Sequence, residues 1–151
     1  MKAGNALAEA LANGRFFWSL EFIPSVDRIL RDDLTQLGGI AAVMRGSDRL
    51  VTFAVTDRVV SERDSEPVAA AASLGDSTGK QPLVHFSGKG RELGDLERVI
   101  GRMQANGLEN MLVLTGDRIK LEPVRGRARY LESVPALAFA RHLMPRALLA
   151  C

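Results

Sequence analysis

The sequence predicts an α/β domain built from parallel βα units. Apolar runs of strand length recur along the chain, each leads into a polar or glycine-containing turn, and most of those turns open onto a segment with helical apolar spacing. A length of 151 residues, with 46% hydrophobic and 25% charged residues, matches one ordinary globular domain and argues against global disorder.

The first run, "RFFWSLEFIP" (15–24), is rich in aromatics and reads as a strand stopped by Pro24. From Val26 to about Arg45, Ile29, Leu30, Leu34, Leu37, Ile40 and Val43 follow helical spacing, with Gly38 and Gly39 weakening the middle. "RLVTFAVTD" (49–57), dense in β-branched residues, is the second strand, and the charged "RVVSERDSE" after it reads as a loop. "PVAAAASLG" (67–75) suits a short helix with Pro67 in its first turn and Gly75 after its end.

"PLVHF" (82–86) is the third strand. After a glycine-rich turn, Leu93, Leu96, Val99, Ile100 and Met103 form an amphipathic helix ending near Asn106 and Gly107. "NMLVLTGD" (110–117) reads as a fourth strand with its turn. The basic "RIKLEPVRGRARY" follows as a loop, then a helix in "LESVPALAFARHLMP" (131–145), where Pro135 is tolerated only near the start. "RALLAC" begins a fifth strand. Parallel strands need both faces covered, and a complete (β/α)₈ barrel takes roughly 250 residues. The pattern therefore fits either an open, complete sheet or an incomplete barrel.

Composition narrows the function classes. The formal charge is +2, and although 16 of the 20 basic residues are arginine, that balance gives no argument for nucleic acid. No apolar run approaches the roughly 18 residues of a membrane span. The amino end, "MKAGNALAEALANGR", carries Glu9 inside its apolar stretch and shows no signal-peptide pattern, so a cytoplasmic location is expected. The single cysteine, Cys151, precludes an intramolecular disulfide and a cysteine metal cluster.

Parallel-sheet proteins place their chemistry at the carboxyl ends of the strands. There the sequence sets Glu21, then Thr56 and Asp57, then His85 and Ser87, then Thr115, Gly116 and Asp117. A charged, unpaired carboxylate in an apolar aromatic strand costs several kcal/mol, so Glu21 is read either as a general acid, or as the cap of a neighbouring helix or the partner of an arginine such as Arg15. A lone histidine between Val84 and Phe86 is either a satisfied core residue or a ligand contact. Asp117 reads equally as a site carboxylate or as turn punctuation. "SGKGR" has phosphate-cradle character but lacks the full P-loop spacing. Arg118, Lys120, Arg125, Arg127 and Arg129 read as a solvated loop.

Taken in order, "LEFIP", "VTFAVTD", "PLVHFSGKGR" and "GLENMLVLTGD" resemble the amino-terminal half of the methylenetetrahydrofolate reductase family, from about residue 16 to residue 140. The resemblance implies that residues 1–151 form a single incomplete TIM-barrel domain. It further implies a fragment of a flavin-dependent oxidoreductase that uses FAD, a folate and NAD(P)H or another reductant to reduce 5,10-methylene- to 5-methyltetrahydrofolate. Glu21 matches the family's acid, which protonates nitrogen as the folate's one-carbon bridge opens. Asp117 matches the aspartate beside flavin and folate, Thr56 and His85 match flavin-contacting positions, and Arg91 matches the basic residue of the third turn. Thr115 departs from the arginine found before the glycine in many members, the turn at 87–91 is richer in glycine, and the family's four further βα units have no counterpart here. Exposed strand edges would then favour an oligomer or a missing carboxy-terminal half. The other expectation is a non-catalytic truncated paralogue that binds a partner subunit or a nucleotide.

Overall fold

The computed structural model describes residues 4–24, 39, 45–57, 67–116 and 130–151. The elements run α1 (Ala6–Ala12), β1 (Trp18–Phe22), β2 (Leu50–Val55), α2 (Pro67–Thr78), β3 (Leu83–Ser87), α3 (Leu93–Ala105), β4 (Asn110–Leu114), α4 (Ser133–Leu143) and β5 (Leu148–Ala150). All five strands are parallel and lie in the order β1-β2-β3-β4-β5. The protein is thus an α/β structure with alternating helices, and each new strand is added on the same side as the last.

The strand register explains why one face is apolar and the other carries polar groups. Phe22, Val55, Val84, Met111 and Leu149 stand level across the sheet. All five belong to the main core, together with Leu74 of α2, Leu96, Ile100 and Met103 of α3, and Ala136 and Ala140 of α4. Side chains alternate between faces along a strand, so Glu21, Ala54, Leu83, Asn110 and Leu148, the level just before, project from the opposite face. Burying residues such as Leu96, Ile100 and Met103 contributes about 1.5–3 kcal/mol each, which locks the helices to their side of the sheet.

The helix α1 had no counterpart among the expected elements. Asn5 caps it by accepting from the Ala8 N–H at 3.2 Å. Leu7 and Ala10 pack with Val51, Leu83 and Leu148 in a second apolar cluster. The Asn5 amide also donates to the fully buried Asn110 side chain at 2.5 Å. Since Leu83, Asn110 and Leu148 open their strands, α1 covers the amino-terminal end of the sheet's second face and leaves its carboxyl end to other groups.

Strand positions follow the expected runs, trimmed at their ends except for β3, which starts one residue later and includes Ser87. The expected 67–75 helix instead continues to Thr78, and Gly75 lies within it. Gly79, at φ +68, provides the stop, while the Ser77 and Thr78 hydroxyls donate to the Ser73 and Leu74 carbonyls. α3 ends at Asn106 and Gly107 as expected, and Pro135 lies in the first turn of α4. Of the helix expected over 26–45, only Gly39 and Arg45 are described; the loops at 58–66 and 118–129 lie outside the described residues. No described helix is long and apolar enough to cross a membrane.

Candidate functional site

The carboxyl ends of β1, β2 and β3 bring three of the predicted residues together. Glu21 is next to last in β1, Thr56 follows β2, and His85 is the middle residue of β3. The Thr56 hydroxyl donates to Glu21 Oε1 at 2.6 Å, and the Thr56 N–H donates to the Phe22 carbonyl at 2.9 Å, so β1 and β2 remain joined beyond the last strand residue. Ala54 pairs with Leu83 and Val55 with Val84, which sets Thr56 beside His85. Their side chains share the face opposite the main core.

Glu21 does not occupy the apolar enclosure its strand suggested. It is exposed, as are Trp18 and Leu20, and its hydrogen-bond partner is Thr56 rather than Arg15. The aromatic run that looked like a buried strand forms the first edge of the sheet, where an edge-to-face pair of Phe16 and Trp18 rings, 5.3 Å apart, lies largely in solvent.

His85 fits neither simple expectation. It is half-buried, yet its Nε2 is fully enclosed and has no hydrogen-bond partner among the described residues. Burial holds its pKa below the ordinary 6.5, and the charges of Glu21 and Asp57 oppose that shift in part. Burial thus favours the neutral ring, whose enclosed nitrogen lacks a partner among the described residues, whereas core imidazoles are normally satisfied.

The turn after β3 is tied down by an acid that sequence reasoning noted without assigning it a role. Asp57, whose side chain is 2% exposed, accepts from the Ser87 N–H at 2.9 Å and from both terminal nitrogens of Arg91. The Arg91 guanidinium also lies over the Phe86 ring, 5.0 Å from its centroid. The predicted cofactor-binding arginine is thus engaged in a bidentate ion pair within the chain. An acid directly after one strand and an arginine in the turn after its neighbour were the available signal for this pair.

Three backbone donors of the "SGKGR" turn are engaged within the chain. The Gly88 N–H donates to the Leu114 carbonyl at 2.7 Å, the Lys89 N–H to Ser87 Oγ at 3.4 Å and the Arg91 N–H to the Gly88 carbonyl at 3.1 Å. At the start of α3, the Glu92 N–H donates to the Asp95 carboxylate at 2.8 Å. These donors tie the turn to β4, to itself and to the first turn of α3.

Thr115 ties β4 to α4. Its hydroxyl accepts from the Ser133 N–H at 3.1 Å and donates to Glu132 at 3.3 Å. Gly116, at φ +84, lies so close to Ser87 Oγ and Lys89 Cβ that a side chain there would collide with the β3 turn. The predicted catalytic Asp117 lies outside the described residues. A cleft of about 390 Å³ lined by Gln104, Leu108, Met144 and Arg146 sits at the amino-terminal end of the sheet and contains none of the predicted site residues. Among the described residues, no His, Cys, Asp and Glu cluster has the form of a metal site.

No protein-family model matches the chain, and no curated protein matches it.

Proposed function

We propose that this chain is the amino-terminal part of a flavin-dependent reductase of the methylenetetrahydrofolate reductase type, with its five strands forming a segment of a (β/α)₈ barrel. The observation that carries the reading is the enclosed, unpartnered Nε2 of His85, beside the Thr56–Glu21 hydrogen bond at the carboxyl ends of adjacent parallel strands. Parallel-barrel enzymes assemble their sites at these ends from several strands. The sequential strand order, and the position of Glu21, Thr56 and His85 on the part of the second face that no described helix covers, support the barrel geometry.

The residues present fit a flavin in part. Thr56 would meet FAD with its hydroxyl and His85 with the exposed part of its half-buried ring, while Arg91, held by Asp57, would serve it indirectly. FAD would supply the carrier of hydride between NAD(P)H or another reductant and the one-carbon unit on the folate. Glu21 would deliver a proton to the folate nitrogen. The Thr56 hydroxyl orients the carboxyl by holding one of its oxygens, and the exposure of Glu21 gives solvent access to restore the proton. We place this activity in the cytoplasm.

A second reading, a non-catalytic paralogue that docks a partner subunit, is favoured by the exposed Phe16, Trp18, Leu20 and Ile23 along the β1 edge. Titrating FAD with the purified chain while following flavin fluorescence tests the first reading. The expected result is saturable quenching that weakens in His85→Ala. Absence of saturable quenching, in a chain whose circular dichroism shows the folded α/β structure, would overturn it. Reconstituted folate reduction then separates the roles, because Glu21→Gln should abolish it while leaving flavin reduction by the nicotinamide intact.

A further inference from the structure

The Asp57–Arg91 pair joins two strands and a turn around the candidate site, and nothing in the reductase reading assigns Asp57 a part. Its carboxylate holds the Ser87 N–H on β3 and the Arg91 guanidinium just before α3, while Asp57 itself follows directly on Thr56. Arg91 is braced from the other side by the Phe86 ring. Phe86 and Ser87 are the two residues after His85, so the clamp grips β3 where it delivers the imidazole to the face opposite the main core. A bidentate carboxylate–guanidinium pair is geometrically specific. A side chain as deeply buried as that of Asp57 holds its place because each carboxylate oxygen has a donor.

We propose that Asp57 is a positioning residue of the candidate site, acting through Arg91 and Ser87 to fix the turn at 87–91 and the height of His85 against the bound ligand. This deepens the flavin reading and rests on it for the identity of the ligand. Arg91 accordingly acts as part of the scaffold, with Asp57 as its counter-charge. A ligand phosphate would have to compete with a buried carboxylate for the same donors.

The charged groups set around His85 give the clamp a signature that simple loosening of the structure does not share. Glu21 on β1 and Asp57 after β2 both favour its protonated form, and burial opposes it. Arg91, in the turn after β3, neutralises Asp57. Asp57→Asn removes a carboxylate, so the His85 midpoint should fall further. Arg91→Ala leaves Asp57 uncompensated, so the midpoint should rise. Loosening the turn would rehydrate the ring and move both variants upward, toward the ordinary value.

The test is an NMR titration of the His85 imidazole together with FAD fluorescence titration of the wild-type chain, Asp57→Asn, Arg91→Ala and Arg91→Lys. The proposal expects opposite midpoint shifts in the first two variants. It also expects FAD affinity to fall by about tenfold in each, the equivalent of one hydrogen bond of the site. Arg91→Lys keeps the charge but not the fork, so its affinity should fall while its His85 midpoint stays near wild type. This milder variant carries the test if Asp57→Asn fails to fold. Midpoints that rise together in Asp57→Asn and Arg91→Ala, or an unchanged FAD affinity in Arg91→Lys, would overturn the positioning role. If the wild-type chain does not bind FAD, the flavin reading fails, while opposite midpoint shifts would still establish that the charges of Asp57 and Arg91 act on His85.

Discussion

Replacing Gly88 with alanine should be among the most damaging single-methyl additions in this protein. A Cβ at Gly88 would fall inside the contact distance of the Leu131 carbonyl oxygen, 2.8 Å from its carbonyl carbon and 3.2 Å from its Cβ. The obstruction is backbone, so no side-chain rotation relieves it. The same residue accepts from the Leu131 N–H at 3.0 Å and donates to the Leu114 carbonyl at 2.7 Å. Overpacking costs about 1–3 kcal/mol, and weakening two hydrogen bonds adds about 0.5–1.5 kcal/mol each. The expected loss is therefore about 2–6 kcal/mol, a large share of the ~5–15 kcal/mol that stabilises a typical domain. Gly90 is the internal control, since it has φ +71 with open space around its Cβ position. Gly90→Ala should cost only the left-handed penalty of about 1–2 kcal/mol. Urea unfolding followed by far-ultraviolet circular dichroism measures both. Equal midpoints for the two variants would refute the claim that the approach of residues 88 and 131 fastens the β3 turn to the start of α4.

Two further outcomes follow from the same structure. Because burial lowers the His85 pKa in the folded chain, the unfolded chain binds the proton more readily. The stability this confers is fully present above the unfolded value near 6.5 and is lost as pH falls through the lower folded value. His85→Gln should flatten that part of a urea-midpoint profile, and an unchanged slope would show that the ring is not buried neutral. Thr115→Ala removes the acceptor for the Ser133 N–H at the first turn of α4 and should cost about 1 kcal/mol, read as a lower thermal midpoint; a shift within error would show that water caps the helix equally well.

The division between what local patterning reveals and what requires the third dimension runs through particular residues. Val84, Met111 and Val113 announce strands by their type, and Leu96, Ile100 and Met103 announce a helix face by their spacing, because burial selects apolar residues at the period of the backbone. Glu21, Thr56 and His85 were legible as strand-end polar groups because parallel strands all point their carboxyl ends the same way. The Thr56–Glu21 bond and the orphaned Nε2 of His85 were not legible, since each depends on how adjacent strands align across gaps of many residues. α1 was missed because its seven residues offer little periodic signal, and its burial depends on Val51, Leu83 and Leu148 arriving from three strands.

By itself the sequence determined the α/β class, the strand succession and the residues available for chemistry, all of which follow from local propensity and apolar periodicity. Only the tertiary structure decided that Arg91 belongs to Asp57 and that Glu21 stands on an exposed edge while His85 is left half-buried, its enclosed nitrogen without a partner among the described residues. The physical reason is that ion pairing and desolvation depend on distances between segments remote in the chain. Those distances are set when the strands align and the helices pack, and no window along the sequence contains them.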